Sequence, residues 1–310
     1  MAINNEAPSY GARSDEALRD AVDNPVAYFI PLGNIESDGI SYERFLPTSF
    51  THGAWGPFQH GAPPSALLTR MLERHDGGQE GMRTTRIAVD LLSAVPYTEL
   101  RARSWVSRPG RQICKVEAEL LADVKGSWRP VASASAWRMA TSDTTQVERA
   151  FDDEVPGPGD AVAESIPLTD EWTGGYIESI EARAGEPIGA AGTRLHWVRA
   201  PHPIVEGEEP TAVERLMQVA DTANGIGATL SPHEWAFMNT DLVVHLHRLP
   251  ELATTTGADA SDDTGAGWLG IAARGSIGPD GIGMTAGELY DARGPVGRSM
   301  QTLLVRPQSG

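Results

Sequence analysis

One carboxylate in this 310-residue chain stands in a setting that could do chemistry. In TAVERLMQVAD (211–221), Val213, Leu216, Met217 and Ala220 recur at helical spacing, and Asp221 closes the run at or beside that apolar face. A carboxylate so placed is a reasonable general base or nucleophile. The competing reading is an exposed acid near a helix end, since Asn224 and Gly225 follow as residues that stop helices. A polar amide sits among apolar neighbours in RSMQTLLV (298–305): Gln301, Leu303 and Val305 share one strand face by the period of two. The plainer alternative is a glutamine at a sheet rim. Asp241, His245 and His247 also share a strand face, but two alternating histidines without a third well-placed ligand read as packed or hydrogen-bonded surface. No metal is expected.

Several common chemistries are absent as motifs. Ser276 lies in ARGSIGP, with Arg274 where a nucleophile elbow needs its first glycine. There is no phosphate-binding P-loop, and the two GIG tripeptides lack the later glycine of a dinucleotide fingerprint. His233-Glu234 is followed by Trp-Ala-Phe, so the zinc-protease pattern fails too. No cofactor is expected. A single cysteine, Cys114, rules out an intramolecular disulfide framework and any multi-cysteine metal site. Acidic residues number 42 against 25 basic ones, a net charge of −17, which argues against a nucleic-acid partner and an anionic membrane surface. The polar start, MAINNEAPSYGARSDEALRD, lacks a secretory apolar core, and no run approaches the ~20 apolar residues that span a bilayer. The reading is a cytoplasmic protein.

The elements that must position these residues come in two copies. TRIAVDLLSAVP (85–96) and TDLVVHLHRLP (240–250) both alternate apolar and polar residues and end at proline. Residues 110–137 and 281–303 each read as a strand, a turn around Gly126 or Gly294, and a returning strand. Ahead of each sheet pattern lies a helix. PPSALLTRMLERH (63–75) groups Leu67, Leu68, Met71 and Leu72, with prolines at its start, while residues 211–221 open on a capping box of Thr211 and Glu214. One helix wrapped by an antiparallel sheet, twice over, is an α+β design. The expected division is a first domain over 20–141, a linker over 142–167 rich in acids, Pro and Gly, and a second domain over 168–308. Residues 251–267 read as an acidic hairpin loop.

Five segments in order carry a family resemblance: HGAPPSALLTRMLER (60–74), RPGR (108–111), LMQVADTANG (216–225), NTDLVVHLHR (239–248) and GPVGRSMQTLLVRP (294–307). Together with the repeat they resemble acyl-CoA thioesterases of the double-hotdog, thioesterase II-like type over about residues 25–308. The resemblance implies two tandem hotdog folds, each an antiparallel sheet around one long helix, with an acyl channel between them. It implies metal-free hydrolysis of an acyl-CoA, or of an acyl carrier protein thioester, with a further homodimer possible.

Residue by residue, the family's helix aspartate matches Asp221 and its last-strand glutamine matches Gln301, an amide suited to orienting water. The family threonine falls on Asn239, with Thr240 beside it, so either may hold the water that Asp221 activates. A covalent acyl-aspartyl route is the alternative mechanism. Backbone N–H groups at the turn His60-Gly61, just before the first helix, are the oxyanion-binding candidates, Gly61 allowing close approach; a simple helix entry is the plainer reading. Two rivals stand beside hydrolysis. A hotdog hydratase or dehydratase would want a histidine soon after Asp221, where TANGIG has none, and a non-catalytic acyl-CoA binding or sensing protein is hinted at by Asn239 in place of threonine.

Overall fold

The computed structural model describes residues 14–75, 81–163, 175–252 and 267–308. The first half begins with α1 (Asp15–Asp23) and the hairpin β1 (Phe29–Ser37) and β2 (Ile40–Pro47), followed by α2 (Ala62–Glu73). Four strands complete it: β3 (Met82–Leu91), β4 (Leu100–Arg108), β5 (Ile113–Val124) and β6 (Ser127–Ala140). After a two-residue edge strand, β7 (Val162–Ala163), and a short helix, α3 (Gly175–Ser179), the order recurs. It runs β8 (Glu181–Ile188), β9 (Thr193–Arg199), the helical segments α4 (Ala212–Val219) and α5 (Ala223–Ile226), then β10 (Trp235–Asn239) and β11 (Asp241–Leu246). The last three strands are β12 (Leu269–Ile277), β13 (Ile282–Asp291) and β14 (Gly294–Pro307).

The strands join one antiparallel sheet in the order β1-β2-β4-β5-β6-β3-β11-β14-β13-β12-β9-β8-β7, with β10 also on β14. Each half thus repeats the other outward from the central β3–β11 pair, where Val243 lies opposite Ala88 and His245 opposite Arg86. Both expected hairpins form. The β5–β6 turn is closed by Lys125 and Gly126, each at positive φ, the conformation that a two-residue hairpin with right-handed twist requires. Most of the expected acidic loop, 253–266, lies outside the described residues, as do residues 164–167 at the end of the expected linker.

The helices lie on the inner face of the sheet. From Ala62 to Leu72 every residue of α2 is buried, because α2 packs on its own sheet on one side and on α4 on the other. Arg70 is reconciled with that burial by Glu43 and Glu208, and Arg74 reaches Glu208 and Glu214, so charge pairs bind the two helices together. The capping box of Thr211 and Glu214 forms as expected. The second helix differs from the single long helix anticipated: it breaks after Val219 into a 3-10 turn, Ala220–Thr222, before α5. The Thr222 hydroxyl donates to the Val219 carbonyl at 2.7 Å, while the Ala223 N–H turns back to the Ala220 carbonyl. A side-chain donor has replaced the α-helical one, and the ladder tightens there.

Candidate active site

That break decides how Asp221 is presented. The side chain sits on the 3-10 turn and is almost fully buried, at 3% exposure, so the reading of an exposed acid at a helix end fails. A buried carboxylate needs donors on its oxygens. Oδ1 accepts from Asn239 Nδ2 at 2.7 Å and from Gln301 Nε2 at 2.9 Å. The other oxygen, Oδ2, faces the first half of the chain. It lies 3.4 Å from His60 Nδ1, and a methyl group placed on Gly61 would stand only 2.7 Å from it. Asp221, Asn239 and Gln301 come from the second half, His60 and Gly61 from the first.

Asn239, not Thr240, faces the carboxylate, and a bulge is the reason. Asn239 pairs with Leu303, but Val243 pairs with Met300, so the β10–β11 strand carries one residue more than β14 across this stretch. The extra residue flips the alternation. Phe237 and Asn239 point inward before it, and Leu242, Val244 and Leu246 point inward after it. Thr240 is left exposed on the outer face, its N–H donating to the Thr302 carbonyl. The Asp241 carboxylate accepts from the Thr302 N–H at 2.6 Å, where the ladder is interrupted. That is a structural role for Asp241. Among the described residues no group of three His, Cys, Asp or Glu side chains is placed to hold a metal ion.

The turn before α2 is used differently from expectation. The His60 N–H donates to the Thr51 carbonyl at 2.8 Å and is not free for a substrate. The Ala62 N–H is occupied by His60 Nδ1 at 3.1 Å, and Pro63 and Pro64 have no N–H. This leaves Gly61 N–H, which donates to no acceptor among the described residues, at the helix start beside Asp221 Oδ2. The histidine contributes its ring instead, stacked on Tyr176 at 4.2 Å between centroids. Burial lowers the His60 pKa, and the Asp221 charge only partly offsets this, so the imidazole is neutral at pH 7. Burial, with the Tyr28 and Asp221 charges, pushes the Tyr176 phenol well above its ordinary range. Its hydroxyl donates to the Gln218 carbonyl.

A cavity of about 70 Å³ opens at this junction, walled by Trp55, Phe58, His60, Ile177, Asp221 and Asn239. The His60 ring and the aromatic wall escape a reading by segments, because they reach Asp221 only once the two halves are docked.

The sequence profile of the acyl-CoA thioesterase N-terminal domain matches residues 51–139, and that of the acyl-CoA thioesterase C-terminal domain matches residues 156–305. The chain belongs to the acyl-CoA thioesterase family. No curated protein matches its sequence. Among solved structures, the acyl-CoA thioesterase II of Mycobacterium marinum superposes with a TM-score of 0.57 at 16% identity, over 89% of this chain and 96% of that one. A conserved hot dog fold protein from Alicyclobacillus acidocaldarius gives a TM-score of 0.61 at 14% identity, over 89% and 96% of the two chains. At such identities the likeness speaks for the fold: this thioesterase-family chain has the tandem α+β hotdog architecture expected from its repeat.

Proposed function

We propose that the protein hydrolyses acyl-CoA thioesters, with Asp221 activating the water. The observation that carries this reading is the asymmetry of the carboxylate: two amides fix Oδ1, while Oδ2 is turned toward the start of α2, where Gly61 N–H awaits an acceptor. Water held against Oδ2 gives its proton to Asp221 as its oxygen adds to the thioester carbonyl. The oxyanion that forms is stabilised by Gly61 N–H. As the C–S bond breaks, the sulfur takes up a proton, releasing free acid and CoA thiol. Asn239 and Gln301 hold the carboxylate still throughout and keep its second oxygen in line.

One observation favours a second reading. A hydratase acting on an enoyl thioester needs an acid–base pair, and the histidine missing after Asp221 is supplied from the other half of the chain by His60. The experiment is release of free thiol from a panel of acyl-CoA chain lengths by wild type and Asp221→Asn, with enoyl-CoA consumption followed in parallel. Thiol release that falls at least ~10²-fold in the variant supports hydrolysis at Asp221. Enoyl-CoA consumed without thiol release supports the hydratase, and thiol release surviving in Asp221→Asn removes the carboxylate from the mechanism.

A further inference from the structure

Gln301 supports Asp221 in only one of its two amide orientations. With Nε2 turned to the carboxylate it donates, and with the amide flipped it would set oxygen against oxygen. Something must therefore hold Oε1 on the far side. Among the described residues, Gln301 Oε1 is buried and accepts no hydrogen bond, and the hydroxyls of Thr285 and Ser299 are likewise buried without a partner. All three residues are at most 2% exposed. They form one patch on the inner face of the sheet: Thr285 lies directly opposite Gln301 across the β13–β14 ladder, and Ser299 lies two residues before Gln301 on the same face. Directly opposed Cβ atoms stand about 4.5–5.5 Å apart, so rotation of a side chain brings a hydroxyl and an amide oxygen together, although no hydrogen bond joins the two as they stand.

The chain carries its own control for this patch. Val243 faces Ala88 on one side and Met300 on the other, while Ala88 faces Ser135 on its own far side, so exchanging the halves carries Met300 onto Ser135. By the same register Gln301 maps onto Ala136, Ser299 onto Ala134, and Thr285 onto Val116, which lies opposite Ala136. The half with no glutamine to orient has no hydroxyls beneath it. A buried hydroxyl without a partner is costly, so two of them beside the glutamine, and none at the matching positions of the other half, mark the patch as serving the amide.

We propose that Thr285 is a positioning residue of the active site: a turn of its side chain about χ1 lets the hydroxyl, unpartnered as it stands, donate to Gln301 Oε1 and lock the amide with Nε2 on Asp221. This rests on the hydrolytic reading above and adds a residue that touches neither substrate nor the carboxylate. Thr285→Val, which installs the counterpart residue of the other half, removes the hydroxyl at nearly constant shape. It is expected to lower kcat about five- to tenfold, the worth of one hydrogen bond, with KM within about twofold. Thr285→Ser should restore most of the rate. In a Gln301→Ala background, Thr285→Val should cost nothing further. An unchanged kcat in Thr285→Val, or a loss that adds in full to that of Gln301→Ala, overturns the proposal. If wild type cleaves no thioester, the hydrolytic reading falls instead. Hydrogen exchange of the Gln301 side-chain NH2, assigned by its loss in Gln301→Ala, then decides: faster exchange in Thr285→Val than in wild type supports the lock, and equal exchange refutes it.

Discussion

Replacing Gly61 by alanine tests the active-site geometry with the smallest possible perturbation. Gly61 has φ −64° and ψ −25°, an ordinary helical conformation, so alanine meets no backbone penalty and keeps the N–H. All of the effect must come from one methyl group. Its carbon would stand 2.7 Å from Asp221 Oδ2 and 3.2 Å from Cγ, where ordinary contact begins at 3.4 Å. Relief requires the carboxylate to withdraw by roughly 0.7 Å, on the scale at which a 1 Å misplacement costs ~10²-fold in rate. Such a withdrawal also strains the 2.7 and 2.9 Å bonds to Asn239 and Gln301. The expected outcome is a fall of about 100-fold in kcat for thiol release, with a stability loss of about 1–3 kcal/mol typical of overpacking. Turnover and thermal unfolding measured on the same preparation separate the two effects. A folded Gly61→Ala protein working within about threefold of wild type would refute the placement of the reaction between Asp221 Oδ2 and Gly61.

Two further outcomes follow from the site. Asn239→Ala removes a donor to a buried carboxylate, worth ~1.5–3 kcal/mol, and should lower kcat by about tenfold or more, whereas Thr240→Ala, on the outer face, should stay within about twofold; the reverse ranking of the two rates would place the bulge wrongly. Since burial lowers the His60 pKa, the unfolded chain binds the proton more readily, so stability is full above the ordinary value near 6.5 and declines as pH falls below it. Thermal unfolding at pH 7.5 and 5.5 should therefore show a smaller acid-side loss in His60→Gln than in wild type, the remainder coming from His202 and His247, whose pKa values burial also lowers.

How much of this was legible in the sequence depended on the range of the interaction. The capping box of Thr211 and Glu214 is a contact within one turn, and it forms as the spacing predicts. The repeat is legible because each half must bury the same face of the same hairpins, so 110–137 and 281–303 carry the same pattern. The register at Asn239 was not legible. Leu242, Val244 and Leu246 extrapolate by the period of two to an inward Thr240, and only the bulge, set by pairing with β14, reverses this. The helix break at Val219 was hidden likewise, because a threonine hydroxyl replacing one backbone donor leaves the apolar spacing of α4 intact. His60 was singled out for its N–H, yet its ring is the part that meets Asp221, across the interface of the two halves.

The same exchange of halves shows why two folds make one site. The first half has its own bulge between Thr84 and Arg86, and its own partly buried acid at the helix end, Glu73, hydrogen-bonded by Thr84 as Asp221 is by Asn239. Around it the chemistry has been closed off. Ala136 stands where Gln301 would, so no amide holds the acid, and Arg138 stands where Leu303 would and fills the space behind α2, its guanidinium donating to the Leu72 carbonyl. Burial raises the Glu73 pKa, with the Thr84 hydrogen bond and the Arg138 charge pulling the other way. At the helix start that faces this acid, the Thr211–Glu214 capping box pairs the Thr211 and Glu214 N–H groups, whereas Gly61-Ala62-Pro63-Pro64 leaves the Gly61 N–H without an acceptor among the described residues. N–H groups paired by a cap are satisfied within the protein, while an unpaired one at a helix start is available to a ligand. On the proposed reading the two helices divide the work: the capped α4 leads into the 3-10 turn that carries the carboxylate, and α2, held by Arg70 and Arg74, leaves its N-terminus open toward it.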